Sequence, residues 1–192
     1  MAFTAKDVKE LREMTGCGMM DCKKALTETD GDKDKAVEYL REKGLATAAK
    51  KSGRIAAEGI VVVKVTDDNK TGVMVEVNSE TDFVAKNPVF VEYVGQVADQ
   101  VIGSDAADID ALLEETWKVE PEYTVSQALS QKVAVIGENL KIRRFAKFVK
   151  SESGRIVSYV HGGGRIGVLV ELLCANESEA LDELGKNVAM QI

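Results

Sequence analysis

Histidine and tryptophan occur once each in 192 residues, proline twice and cysteine three times. Each scarcity excludes something. The single histidine, His161, is remote in sequence from Cys17 and Cys22, and no second ligand pair exists, so a zinc site is disfavoured and no metal or cofactor is expected. Cys17, Cys22 and Cys174 are odd in number and lack paired spacing, which argues against a disulfide framework; free thiols point to the cytosol. No apolar run approaches the roughly 20 residues that cross a bilayer. Residues 1–6 lack the basic-then-apolar layout of a signal peptide. The expected location is therefore cytoplasmic, with no membrane partner. A formal net charge of −7 opposes general attraction to phosphate backbones, and aromatics at 5% leave few rings to stack on bases.

What is present is an ordinary globular composition, 45% hydrophobic and 30% charged. The charge is uneven. Residues 1–54 carry 12 Lys and Arg against 10 Asp and Glu, while the remainder carries 13 against 22. A mildly basic head on an acidic body fits a partner with patches of both signs.

Periodicity divides the chain into three parts: 1–53, 54–149 and 150–192. In the first, Thr4 and Asp7 form a helix-opening pair, and Val8 and Leu11 recur at helical spacing to about Met14. Residues 15–18 break the pattern, a short amphipathic helix follows from Met19, and Asp30-Gly31-Asp32 introduces a third with Ala36, Val37 and Leu40 on one face, ending at Gly44. Met19 and Met20 cannot both face one core from adjacent positions. At least one is expected at the surface, where methionine is an adaptable contact residue. Residues 45–59 read as a helical or flexible connector, and Lys50, Lys51 and Arg54 as a solvated face.

From Ile60 the period changes to that of strands. Residues 60–65 and 72–77 form a hairpin, Phe90, Val94, Val97 and Val101 mark a covering helix, and Ile109, Leu112, Leu113 and Trp117 continue helically. Thr124 and Gln127 open another helix that Gly137 stops. Residues 140–149 alternate apolar and basic side chains as a half-buried strand, and its Lys141, Arg143, Arg144 and Lys147 would be the residues of an RNA contact. A shift of 95 residues lays Gly167-Val-Leu-Val-Glu-Leu172 on Gly72-Val-Met-Val-Glu-Val77, and a helical spacing again follows, from Ala180 to Ile192. The chain thus contains a duplicated hairpin-plus-helix unit, and the second copy is expected to be truncated at its C-terminus. The fold class is α+β.

The junction after the first hairpin, residues 78–87, is the least explained by core packing. Four polar or charged residues and then an acid, Asp82, precede Phe83, an aromatic either folded back as a staple for the next helix or held out as an anchor for a partner. In the second copy the corresponding stretch is Asn176-Glu177-Ser178-Glu179, with no aromatic. A role confined to the first copy is favoured. Catalytic sets are sparse: His161 and Cys174 lie on separate strands with no acid to orient the imidazole, and Gly162-Gly163-Gly164 lacks the lysine and the following helix of a phosphate cradle.

Three segments, Thr81-Asp82-Phe83-Val84-Ala85, residues 11–26 and residues 136–144, resemble in order the motifs of the elongation factor Ts family. The resemblance implies a ubiquitin-associated-like bundle at the N-terminus and a guanine-nucleotide exchange factor that acts by binding, without covalent chemistry. The implied partner is elongation factor Tu in its GDP form, and the factor binds no nucleotide itself. Thr81, Asp82, Phe83 and Val84 would disturb the partner's magnesium site. Arg12, Met19, Met20 and Lys23 would dock the N-terminal module, and His161 with Gly162 would touch the partner's third domain. Longer members carry a further helical insertion and closing segment. The alternative from the residues alone is a protein- or peptide-binding adaptor without exchange activity.

Overall fold

The computed structural model describes residues 3–150, 152–176, 178 and 180–192. The chain folds into two compact units, Met1–Ile55 with Gln127–Asn139, and Ala56–Ser126 with Leu140–Ile192.

The first unit is helical. α1 (Ala5–Thr15) starts on a reciprocal cap, the Asp7 amide donating to Thr4 Oγ1 at 3.4 Å and the Thr4 amide to the Asp7 carboxylate at 2.8 Å. It ends on Gly16 in the left-handed region, where a side chain would be strained. α2 (Met19–Glu28) and α3 (Lys33–Lys51) follow, the latter capped by Asp32, whose Oδ1 accepts from the Lys35 amide. Val8, Leu11, Cys22, Ala25, Leu26, Ala36 and Leu40 close one core. Contrary to expectation, α3 does not stop at Gly44 but runs seven residues further. Gly44 is buried where α3 faces α7 (Val125–Ile136), and a methyl group there would lie 3.7 Å from Ala134 Cβ. The glycine allows close helix approach. Lys51 Nζ donates to Gly137 O (2.6 Å) and Asn139 Nδ2 to Arg54 O (2.8 Å), which fastens the segment after α7 to the end of α3. Sequence alone assigned residues 127–139 to the core; in the fold they belong with the helices.

The second unit is layered. β1 (Glu58–Val65), β2 (Thr71–Ser79) and β3 (Lys141–Val149) form an antiparallel sheet in the order β1-β2-β3. Val73, Val75, Val77 and Ile142 are buried on the face that α5 (Pro88–Ile102) covers with Phe90, Tyr93, Val94, Val97 and Val101. β4 (Gly154–His161) and β5 (Ile166–Leu173) make a separate hairpin, covered by α8 (Ala180–Ala189), which closes before the expected Ile192. α6 (Ile109–Glu114) ends before Trp117, which is buried in an extended stretch beside Tyr93 and does not continue the helix.

The duplication is visible in the pairing. Ile60 opposes Val77 and Val65 opposes Gly72; 95 residues on, Arg155 opposes Leu172 and Val160 opposes Gly167. Gly59 and Gly154 hold corresponding places, both at positive φ, and a Cβ on either would overlap a carbonyl oxygen of the facing strand, Val77 O or Leu172 O. Residues Glu177 and Glu179 of the second-copy junction lie outside the described residues.

Candidate functional site

After β2 the chain turns through α4 (Asp82–Ala85), a single helical turn that strand alternation did not announce. Thr81 is its N-cap: Thr81 Oγ1 accepts from the Val84 amide at 3.4 Å, and Ser79 Oγ donates to Thr81 O at 3.0 Å. The Asn87 amide then donates to Val84 O at 2.9 Å, and Asn87 Oδ1 accepts from the Val89 amide to cap α5, whose first residue is Pro88. Two caps six residues apart therefore brace the corner from both sides.

One helical turn advances 100° per residue, so two residues apart means nearly opposite faces. Ala85 is buried, Val84 half-buried, and the Phe83 ring is 82% exposed. Phe83 does not fold back as a staple. Lys86 Nζ pairs with Asp82 Oδ2 at 2.8 Å, and this hydrogen bond and charge, with a smaller contribution from Arg165, hold the Asp82 carboxyl below its ordinary range. Asp82 is thus kept as an anion beside the ring. The Lys86 pairing was legible as an i,i+4 spacing; the approach of Arg165, 83 residues away, carries no sequence signal.

In the helical unit Met19 is 46% and Met20 72% exposed, so both stand at the surface; Arg12 and Lys23 are exposed as well. Met14, not singled out from sequence, is exposed too. Lys43 pairs with Asp21 on α2, leaving Lys23 among exposed neighbours.

His161 ends β4, exposed, with Nδ1 2.9 Å from the Tyr159 hydroxyl. Gly162, Gly163 and Gly164 all adopt positive φ in the tight turn that follows. Cys174 follows β5 at the other end of the hairpin, near Ser153, roughly 25 Å away at about 3.3 Å per residue. The two cannot act together as base and nucleophile. The basic side of β3 is only partly engaged within the fold. A bulge opposite Glu76 and Val77 makes Arg143 an extra residue and leaves Arg143 and Arg144 both exposed, with Glu76 3.6 Å and 2.7 Å from their Nε atoms. Lys147 Nζ donates to Ser104 O at 2.7 Å. Among the described residues no helix is long and apolar enough to cross a membrane, and no group of three His, Cys, Asp or Glu could hold a metal ion.

A family model described as Elongation factor TS matches residues 80–192. Among curated proteins, Elongation factor Ts of Clostridium novyi (strain NT) is 59% identical over 189 residues, covering 98% of this chain and 61% of that protein. Elongation factor Ts of Clostridium perfringens (strain SM101 / Type A) is 58% identical over 190 residues, covering 99% and 62%. The chain therefore spans about three-fifths of the length of these relatives.

Proposed function

Since the chain belongs to the elongation factor Ts family, we propose that it binds elongation factor Tu in its GDP form and promotes GDP release so that GTP can enter. The observation that carries this reading is the exposed Phe83 ring on a corner capped at both ends. A large apolar side chain held in water by a rigid support has its free energy of burial still to gain, roughly 1.5–3 kcal/mol for phenylalanine. Entering a pocket of the partner, it favours whichever partner conformation opens that pocket. Magnesium bridges nucleotide phosphates and tolerates little distortion of its octahedral ligands, so a small displacement there weakens GDP. Asp82, kept ionised beside Lys86, brings a fixed negative charge to the same place, and Thr81 and Val84 hold the turn. Because coupling is reciprocal, nucleotide rebinding in turn loosens the factor.

Arg12, Met19, Met20 and Lys23 form the docking face of the helical unit, and His161 with Gly162 a second contact at the turn of the β4–β5 hairpin. The factor acts in the cytoplasm by binding, holds no nucleotide or metal of its own and contacts no nucleic acid. Phe83→Ala should slow release of a fluorescent GDP analogue from elongation factor Tu by about tenfold or more, the equivalent of the lost burial, while circular dichroism stays unchanged. An intact fold with an unchanged release rate defeats the proposal. An adaptor without exchange activity would bind the partner and leave release at its intrinsic rate.

A further inference from the structure

The turn of the second hairpin does not end free. Gly164 O accepts from the Val61 amide at 2.7 Å, so the turn is fastened to β1, and the flat backbone of Gly164 lies against Ile60. Val61, Glu76 and Arg144 form a cross-strand row on the sheet face that meets this hairpin. Where the hairpin stops, that face is left open as two adjoining hollows of about 360 and 320 Å³, which share Val61, Glu76, Arg144 and Arg165. Met74 and Ile166 give the first an apolar wall. Arg144 is held from one side by Glu76. Arg165 is exposed on the lip, and among the described residues it has no ion pair or side-chain hydrogen bond.

Asn78 lines the second hollow and is more than nine-tenths buried. Its Nδ2 donates to Glu58 O (3.0 Å) and Glu76 Oε1 (3.2 Å), which fixes the amide orientation and leaves the sealed Oδ1 with no donor among the described residues. A buried acceptor without a donor is unfavourable, and native structures rarely keep one. Two guanidinium groups at the rim of the trough match a carboxylate, such as the side chain of an acidic segment. α4 packs against β1, whose Val61 lines both hollows, so the trough and the Phe83 corner share one strand.

We infer that this trough receives an acidic segment of the protein that Phe83 enters, with Arg165 and Arg144 clasping a carboxylate of that segment. The inference rests on the exchange-factor reading and adds a second, electrostatic contact to it. Binding of the full chain to GDP-bound elongation factor Tu is measured by titration calorimetry at two salt concentrations. Arg165→Ala and Arg144→Ala should each weaken binding roughly five- to tenfold at low salt and flatten its salt dependence, and Arg165→Lys should restore part of the loss. Phe83→Ala should weaken binding with the salt dependence kept. If both arginine variants bind with wild-type affinity and salt dependence while Phe83→Ala still slows GDP release, the trough is not an acidic-segment site and the exchange reading stands. If the wild-type chain neither binds nor accelerates release, the exchange reading itself falls and takes the inference with it.

Discussion

Tyr93 and Phe83 are aromatic residues with opposite fates, and the difference lies in their neighbours. Tyr93 is fully buried on α5 beside Trp117, with ring centroids 6.0 Å apart, and its hydroxyl has no hydrogen-bond partner among the described residues. Burial pushes the phenol far above its ordinary range, so it stays neutral. An unmade hydrogen bond in such a place costs about 1–3 kcal/mol. Tyr93→Phe, which removes the hydroxyl and keeps the ring, should therefore raise the stability by about 1 kcal/mol in urea unfolding. Phe83 was open between staple and anchor in its local sequence, since polar residues precede both; the missing aromatic in the second copy favoured a separate role, and the 100° step of a one-turn helix, with Ala85 turned inward, holds the ring out. The N-terminal cap of α1 was legible because Thr4 and Asp7 act over three residues. Arg165 and Asn78 were not, because what makes them notable is who stands across from them in space.

Among the elements, strands and helix starts followed from alternation and capping, while helix ends did so less well. Gly44 reads as a stop, yet it is a point of close packing against Ala134, and the bulge at Arg143 turns a regular apolar–basic alternation into two adjacent exposed arginines. Neither depends on local propensity. The hairpins themselves carry a sharper demand. Gly59 sits at φ 139° with its missing Cβ aimed at Val77 O. Gly59→Ala should destabilise the layered unit by about 2 kcal/mol or more, through both the clash and the backbone angle, seen as a lowered urea midpoint. Gly53→Ala, with nothing within 4 Å of the added methyl, should stay within about 0.5 kcal/mol of wild type and serves as the control.

At the scale of the whole molecule, the helical unit is built from two separated stretches of chain, and its docking role needs a gentle test. Deleting residues 1–53 would strip α7 of the helix that Gly44 packs against it, so any loss of binding would mix docking with folding. A double Met19→Ser, Met20→Ser variant changes only exposed side chains. It should leave the thermal midpoint nearly unchanged and weaken binding to elongation factor Tu by roughly tenfold if the two methionines bury apolar area there, as titration calorimetry would report. The layered unit has a different history written into it. A Cβ at Gly72 would meet Ile156 and Leu169, and a Cβ at Gly167 would meet Val61 and Met74. Those are the same contacts read from either side, since Ile156 and Leu169 stand 95 residues beyond Val61 and Met74. Reciprocal contacts of this kind are what a two-fold axis produces between identical subunits. The layered unit is in that sense a dimer whose two halves have been joined into one polypeptide. Within one polypeptide the halves need not be alike, and only one of them carries a protruding ring that a symmetric pair would have to carry twice.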